Sequence, residues 1–167
     1  MGYLTPKFRF LPDPYRAWLE GEEDGPQLYR HLIHPRIPRL AFAGVDHGYM
    51  HVPPVEIGTQ WLCAYMRGEL ELPSTAEMER SIELVRAWKR ANIKFEHARL
   101  CAVSTRFQQY IDILLKELDV SPYRKLPNPL AEIFSGYEAS DYKGIYEEYE
   151  QAKSKRTAPL KTLPLDT

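Results

Sequence analysis

The side chains of this 167-residue chain best suited to chemistry are five histidines, two cysteines and two carboxylates that flank one glycine-containing turn. His47 and His51 stand four apart, a spacing that would place two imidazoles on one face of a helix. Gly48 between them, with Pro53 and Pro54 just after, predicts a loop instead, and two imidazoles without a third ligand at a fixed spacing do not make a zinc site. His97 and Cys101 are also four apart and also only two groups, while Cys63 is remote from both. The cysteines read as reduced core residues of a cytoplasmic protein, and no metal site is assigned. His31 and His34, ahead of Pro35, are expected to support loop hydrogen bonds, and Ser104 and Ser140 to cap helices. The chain contains no G-x-S-x-G, P-loop or H-E-x-x-H motif, so no catalytic residue is assigned either.

Asp46 and Glu56 bracket a point where an apolar run ends in Gly44 and a helical pattern begins. Two readings stay open at the level of residue chemistry. In one, Asp46 is a surface turn residue and Glu56 a first-turn carboxylate complementing the helix dipole. In the other, the helix start presents backbone N–H groups to a phosphate, a ribityl hydroxyl or the electron-rich edge of a flavin, and Gly44 lets that ligand approach the backbone closely.

The elements that must position these residues are mostly helices. "RLAFAGV", bounded by Pro38 and Gly44, predicts one short strand near Leu40 to Ala43. A helix follows from Pro53, with Ile57, Gln60, Trp61, Ala64 and Tyr65 in register, and ends at Gly68. Ser74 and Glu77 are spaced as a capping box for a second helix whose apolar stripe is Met78, Ile82, Val85 and Trp88. A third runs through Val103, Phe107, Tyr110, Ile111, Leu114, Leu115 and Leu118. A short helix at "LAEIF" and a fourth long one through Tyr142, Ile145, Tyr146 and Tyr149 complete a mostly α chain with one short strand.

Net charge is −1 from 22 basic and 23 acidic residues, without long blocks of one sign. This composition points away from nucleic acid and from a polybasic membrane contact. No apolar run reaches the roughly 18 to 20 residues of a membrane span, and the first residues lack the apolar core of a signal peptide. The opening 26 residues are proline-rich and carry Tyr3, Phe8, Phe10, Leu11 and Trp18 with little regular structure of their own to bury them.

Four segments in order carry a resemblance. "MGY" at Met1 is similar to the end of an A-T-G-Y stretch, and "LYRHLIHPRIPRLAFAG" from Leu28 to an L-Y-R-H, a proline-rich loop and a final L-A-F-I-G strand. "PPVEIGTQW" from Pro53 resembles a P-x-x-E-x-Q-x-R-W helix, and "GELELPSTAEM" from Gly68 an L-P-S-x-x-x-M. All belong to the flavin-containing monooxygenase-like proteins, within the FAD- and NADPH-dependent oxygenases. The later helices, "RAWKRANIKFE" and "STRFQQYIDILLKEL", are similar to extensions of a fungal and bacterial subgroup. The chain departs from the pattern at Gly58 and Gln60, where the family has glutamine and arginine. It also lacks the family's FAD and NADPH G-x-G-x-x-G fingerprints and its F-x-G-x-x-x-H motif.

The resemblance implies the C-terminal segment of an α/β fold with two dinucleotide-binding domains. Residues 1–70 would then be the end of an FAD-binding domain, 71–156 a helical extension and 157–167 a tail. It further implies that Gly44, Val45, Asp46, Pro54, Val55, Glu56 and Gln60 line the flavin side. The complete protein would oxygenate a soft nucleophile or a ketone through a flavin hydroperoxide, with FAD and NADPH bound through an N-terminal half. Alone, the chain is expected to bind neither cofactor, to be inactive, and to self-associate through an apolar N-terminus. Two alternatives stand beside this reading: a stand-alone helical interaction module, and an unrelated small-molecule binder.

Overall fold

A computed structural model of the chain describes residues 7–45, 52–94 and 107–163. Two compact units are assembled, each from two separate stretches: Met1–Gly48 with Pro73–Thr105, and Tyr49–Leu72 with Arg106–Thr167. Among the described residues the order is α1 (Tyr15–Glu20), α2 (Val52–Met66), β1 (Leu70–Glu71), α3 (Thr75–Asn92), α4 (Phe107–Glu117) and α5 (Pro129–Phe134). A 3₁₀ turn (Ala139–Tyr142), α6 (Ile145–Ser154) and β2 (Leu160–Lys161) follow. The chain is mostly helical, as its periodicity implies, and no helix among the described residues is long and apolar enough to cross a membrane.

In the first unit the proline-rich opening is packed rather than loose. Phe8 and Leu19 join Leu28 and Ile37 in a buried cluster, with Leu11, Tyr15, Trp18, Leu40, Phe42 and Val45 against it. Phe8 and Phe42 meet edge to face at 5.5 Å, and Trp18 stacks on His34. This corrects the expectation that the large N-terminal side chains lack anything to bury them: α1 and the loops after it do so, and Phe10 remains exposed. Tyr3 lies outside the described residues. α1 stops at Gly21, where an added Cβ would sit 2.8 Å from the Ala17 carbonyl oxygen.

The strand expected over Leu40 to Ala43 does not form. Ala41 makes a single bridge to Ile33, and the Phe42 N–H donates to Leu32 O at 2.7 Å. Arg39 enters this stretch at φ 60°, which breaks extended geometry one residue before pairing could start. The two strands among the described residues are elsewhere, in the second unit, as a parallel pair with Leu70 opposite Leu160 and Glu71 opposite Lys161.

α3 begins as its sequence requires: the Glu77 N–H donates to Ser74 Oγ, and Glu77 in turn accepts from the Ser74 N–H at 2.9 Å. Its inner face differs from the expected stripe. Met78 is buried, Ile82, Val85 and Trp88 are only half-buried, and the other buried position is Lys89.

In the second unit α4 packs against α2. Ile111, Leu114, Leu115 and Leu118 are fully buried, as is Trp61 of α2. Each such leucine contributes roughly 1.5–3 kcal/mol of burial. The side chain of Phe107 lies outside the described set. α2 ends on Gly68 at φ 71°, with the Glu69 N–H reaching back to Ala64 O at 2.9 Å, the left-handed glycine termination expected there. The expected fourth long helix is divided at Lys143–Gly144, Gly144 having φ 80°, so Tyr142 belongs to the 3₁₀ turn while Ile145 and Tyr149 line the buried side of α6. Ser140 lies inside that turn, whose reciprocal cap is made by Glu138 and Asp141.

Candidate functional site

In the first unit the backbone is strained where the Leu28-to-Gly44 resemblance begins. Arg30 and His31 have φ of 52° and 57°, and the Leu32 N–H closes the turn on Tyr29 O at 3.0 Å. Two successive positive φ values are the signature of a type I′ turn, ordinarily filled by Asn-Gly. With side-chain-bearing residues each costs about 1–2 kcal/mol. Arg30 is nevertheless buried, its guanidinium 4.8 Å from the centre of the Tyr29 ring. Burial, helped by the charges of Lys89 and Arg30, lowers the His31 imidazole to about 3, so it is neutral at physiological pH.

Around this turn α3 is tied to the acidic loop after α1. Glu22 accepts from Arg86 Nη1 at 2.5 Å and from Arg90 Nη2 at 2.7 Å, and buried Asp24 accepts from Arg90 Nε at 2.7 Å. Gly44 follows at φ 76° and Val45 packs on the unit's core. Asp46 lies outside the described residues.

The remaining sequence-assigned positions, Pro54, Val55, Glu56 and Gln60, all belong to α2, in the second unit. The helix starts at Val52, so Glu56 stands beyond the first turn and does not act there on the helix dipole. Pro53 and Pro54 carry no N–H, which leaves Val52 and Val55 as the donors among the first four residues. Pro54 is buried, Val55 half-buried and Glu56 exposed. Gln60 is partly buried, and its Nε2 is sealed from solvent without an acceptor.

Next to it, Trp61 Nε1 donates to Glu117 Oε2 at 2.7 Å, while Glu117 Oε1 accepts the Leu163 N–H at 2.8 Å. This buried carboxylate thus joins α2, α4 and the segment after β2, and sequence reasoning missed it. Farther along, burial pushes Glu69 up, but hydrogen bonds from Lys153, Tyr149 and Arg67 outweigh it and hold the carboxyl at about 2. Arg124 clamps both carboxylate oxygens of Glu148, at 2.7 and 2.8 Å. These groups are structural in kind, since each charge is matched by a protein partner. On α4, burial raises the Asp112 carboxyl.

His34 does serve its loop, its Nδ1 accepting the Arg36 N–H at 3.1 Å. His47, His51, His97, Cys101 and Ser104 lie outside the described residues, and Cys63 is partly buried on α2. Among the described residues no group of three potential ligands surrounds a metal position.

No family model matches the chain, and no solved structure matches it. Curated proteins do. "Probable flavin-containing monooxygenase 1" of Arabidopsis thaliana is 32% identical over 140 residues, 84% of this chain and 26% of that protein. "FAD-dependent monooxygenase DEP4" of Fusarium langsethiae is 32% identical over 130 residues, 75% of this chain and 22% of that protein. "FAD-dependent monooxygenase resA" of Aspergillus sclerotiorum is 31% identical over 155 residues, 85% of this chain and 25% of that protein. The chain spans about a quarter of the length of these relatives. Over most of its own length, then, it is a relative of the flavin-containing and FAD-dependent monooxygenases.

Proposed function

We propose that the chain is the C-terminal part of an FAD- and NADPH-dependent monooxygenase whose complete form oxygenates a soft nucleophile or a ketone. Residues 1–70 would close the FAD-binding domain and 71–156 extend it. FAD would supply the redox chemistry, and this chain's residues would shape one side of its binding place. Within the second unit those are Pro54, Val55, Glu56 and Gln60; within the first, Gly44, Val45 and Asp46, where glycine permits close backbone approach.

The observation that carries this reading is Gln60. A sealed amide N–H₂ without an acceptor costs about 1–3 kcal/mol, and it lies on the helix of the family-like P-x-x-E segment. A flavin carbonyl or ring nitrogen is an acceptor of the right chemistry. The two prolines at the helix start reduce the backbone donors available there, which shifts the burden of recognition onto this side chain.

The test is co-expression of the chain with the FAD-binding portion of one of these relatives, read by flavin absorbance of the purified proteins. The chain alone should be colourless and the pair yellow. Gln60→Leu should reduce FAD affinity of the pair about tenfold, the loss of one hydrogen bond of about 1.4 kcal/mol, without destabilising the chain alone. A stoichiometric yellow complex of the chain by itself overturns the fragment reading; unchanged FAD affinity in Gln60→Leu overturns the role of Gln60.

A further inference from the structure

α5 carries its amphipathic pattern inside out. Leu130, Ile133 and Phe134 fall at i, i+3 and i+4, one face of the helix, and they are 68%, 71% and 79% exposed. No residue of α5 is buried. Its polar side is the anchored one: Asn128 Oδ1 accepts the Ala131 N–H at 3.1 Å, Glu132 Oε2 accepts the Lys125 N–H at 2.8 Å, and Glu132 Oε1 accepts the Tyr137 O–H. Tyr123 and Leu126, in the segment that leads into the helix, are also more than half exposed. Six residues are too few for a helix stable by itself. The capped and tethered α5 instead holds three large apolar side chains toward solvent, an arrangement that marks a contact surface.

Three kinds of occupant suit such a face, and their requirements differ. A second copy of the chain is the first, but the three side chains present an area on the order of 400 Å², well short of the roughly 800 Å² per partner of a stable dimer. An anionic membrane surface would call for free basic residues beside the apolar ones. The two basic residues between Tyr123 and Leu126 are engaged, Arg124 by Glu148 and Lys125 by Asp141 at 2.9 Å. The third occupant is the remainder of a longer protein. The match to the Arabidopsis thaliana relative takes in 140 of the 167 residues and leaves 27, so it must run through residues 28–140 and include α5, while about three-quarters of that protein lies outside the match. A contact within one polypeptide needs less area than a dimer, because chain continuity holds the two surfaces at high effective concentration. We propose that Leu130, Ile133 and Phe134 form a docking face for the portion of the protein outside this chain, which meets them with an apolar surface. The proposal rests on the reading of the chain as part of a longer monooxygenase, and it assigns the contact to a helix that holds none of the flavin-side positions.

The test joins this chain to the rest of the Arabidopsis thaliana relative in one polypeptide, in place of that protein's own matched segment. Amide hydrogen exchange across residues 128–135 is then followed in the chimera and in the isolated chain. Exchange should be at least about tenfold slower in the chimera, and equally fast at low and high concentrations of the isolated chain. Ile133→Ser/Phe134→Ser should leave the urea midpoint of the isolated chain unchanged, since both side chains are already exposed, and should restore fast exchange in the chimera. Flavin absorbance separates this inference from the reading beneath it. A yellow chimera whose α5 exchanges as fast as in the isolated chain overturns the docking face and leaves the monooxygenase reading standing. A colourless chimera with a protected α5 supports the docking face and counts against the flavin-side positions, and a colourless chimera without protection overturns both. Protection that grows with the concentration of the isolated chain names a second copy as the occupant, protection by vesicles of phosphatidylcholine and phosphatidylserine names a membrane, and either result overturns the proposal.

Discussion

Replacing Glu117 by glutamine isolates the buried carboxylate from every question of packing, because the two side chains have the same shape and nearly the same volume. In the native chain Oε2 accepts the indole N–H of Trp61 and Oε1 accepts the Leu163 N–H. An amide offers one acceptor atom and two N–H donors. Whichever way it flips, one of the two donors faces another donor and loses its partner in a site that is 1% exposed. A hydrogen bond to a charged group contributes about 1.5–3 kcal/mol, and a buried donor left unpaired costs about 1–3 kcal/mol. The expected destabilisation is therefore about 2–3 kcal/mol at pH 7. Urea unfolding followed by far-ultraviolet circular dichroism should show a lower midpoint with an unchanged slope. Trp61→Phe in the Glu117→Gln background should cost less than in the parent chain, since the two residues share one bond. A midpoint within about 0.3 kcal/mol of the parent, or strict additivity in that cycle, would refute the view that this carboxylate joins the three segments.

Leu114→Ala, at a fully buried position of α4, should cost about 2.5–5 kcal/mol by urea titration; a loss under 1 kcal/mol would mean that the site collapses around the smaller side chain. Glu69 has its carboxyl held at about 2, below its ordinary 4.5. The stability linked to it is present above pH 4.5 and lost as the pH falls toward 2, so the advantage of the parent over Glu69→Gln should shrink across that window; a constant difference would count against it. His31, lowered to about 3, refuses a proton that the unfolded chain takes up below about pH 6.5. Its contribution should make the fold less stable as pH drops from 6.5 to 3, and its imidazole NMR shifts should stay flat from pH 8 down to 4.5. A titration midpoint near 6.5 would contradict its burial.

Local rules carried much of the helical reading. Ser74 and Glu77 mark the start of α3 because a reciprocal cap is a contact between neighbours, and Gly68 marks the end of α2 because the left-handed backbone there favours glycine. Tyr110, Ile111, Leu114 and Leu115 show the 3.6-residue period of a face pressed on a core. What escaped depended on distant partners. Leu40 to Ala43 has the composition of a strand, but no neighbour pairs along its length and Arg39 bends its entry. Lys89 is buried where a stripe through Trp88 was expected, because Glu22 and Asp24, more than sixty residues earlier, hold the arginines of that helix. Arg30 and His31 do not carry the Asn-Gly signature of such a turn, so its position could not be read from the residues. Of the flavin-side positions among the described residues, only Gln60 shows a chemical need, and an orphaned amide cannot be read from a string of letters.

Each unit draws on two stretches of chain separated by part of the other. A ribosome delivers these stretches in strict order, so the first unit waits for α3 to emerge before its Arg86 and Arg90 can meet Glu22 and Asp24, and by then α2 is already outside. α2 must in turn wait for α4 and for Leu163, the last partner of Glu117. Neither unit can be obtained by trimming the chain from one end. Isolating either would require reconnecting its two stretches with a linker, and a nick between Leu72 and Pro73 would interrupt the path from α2 to α3 while leaving both stretches of each unit intact.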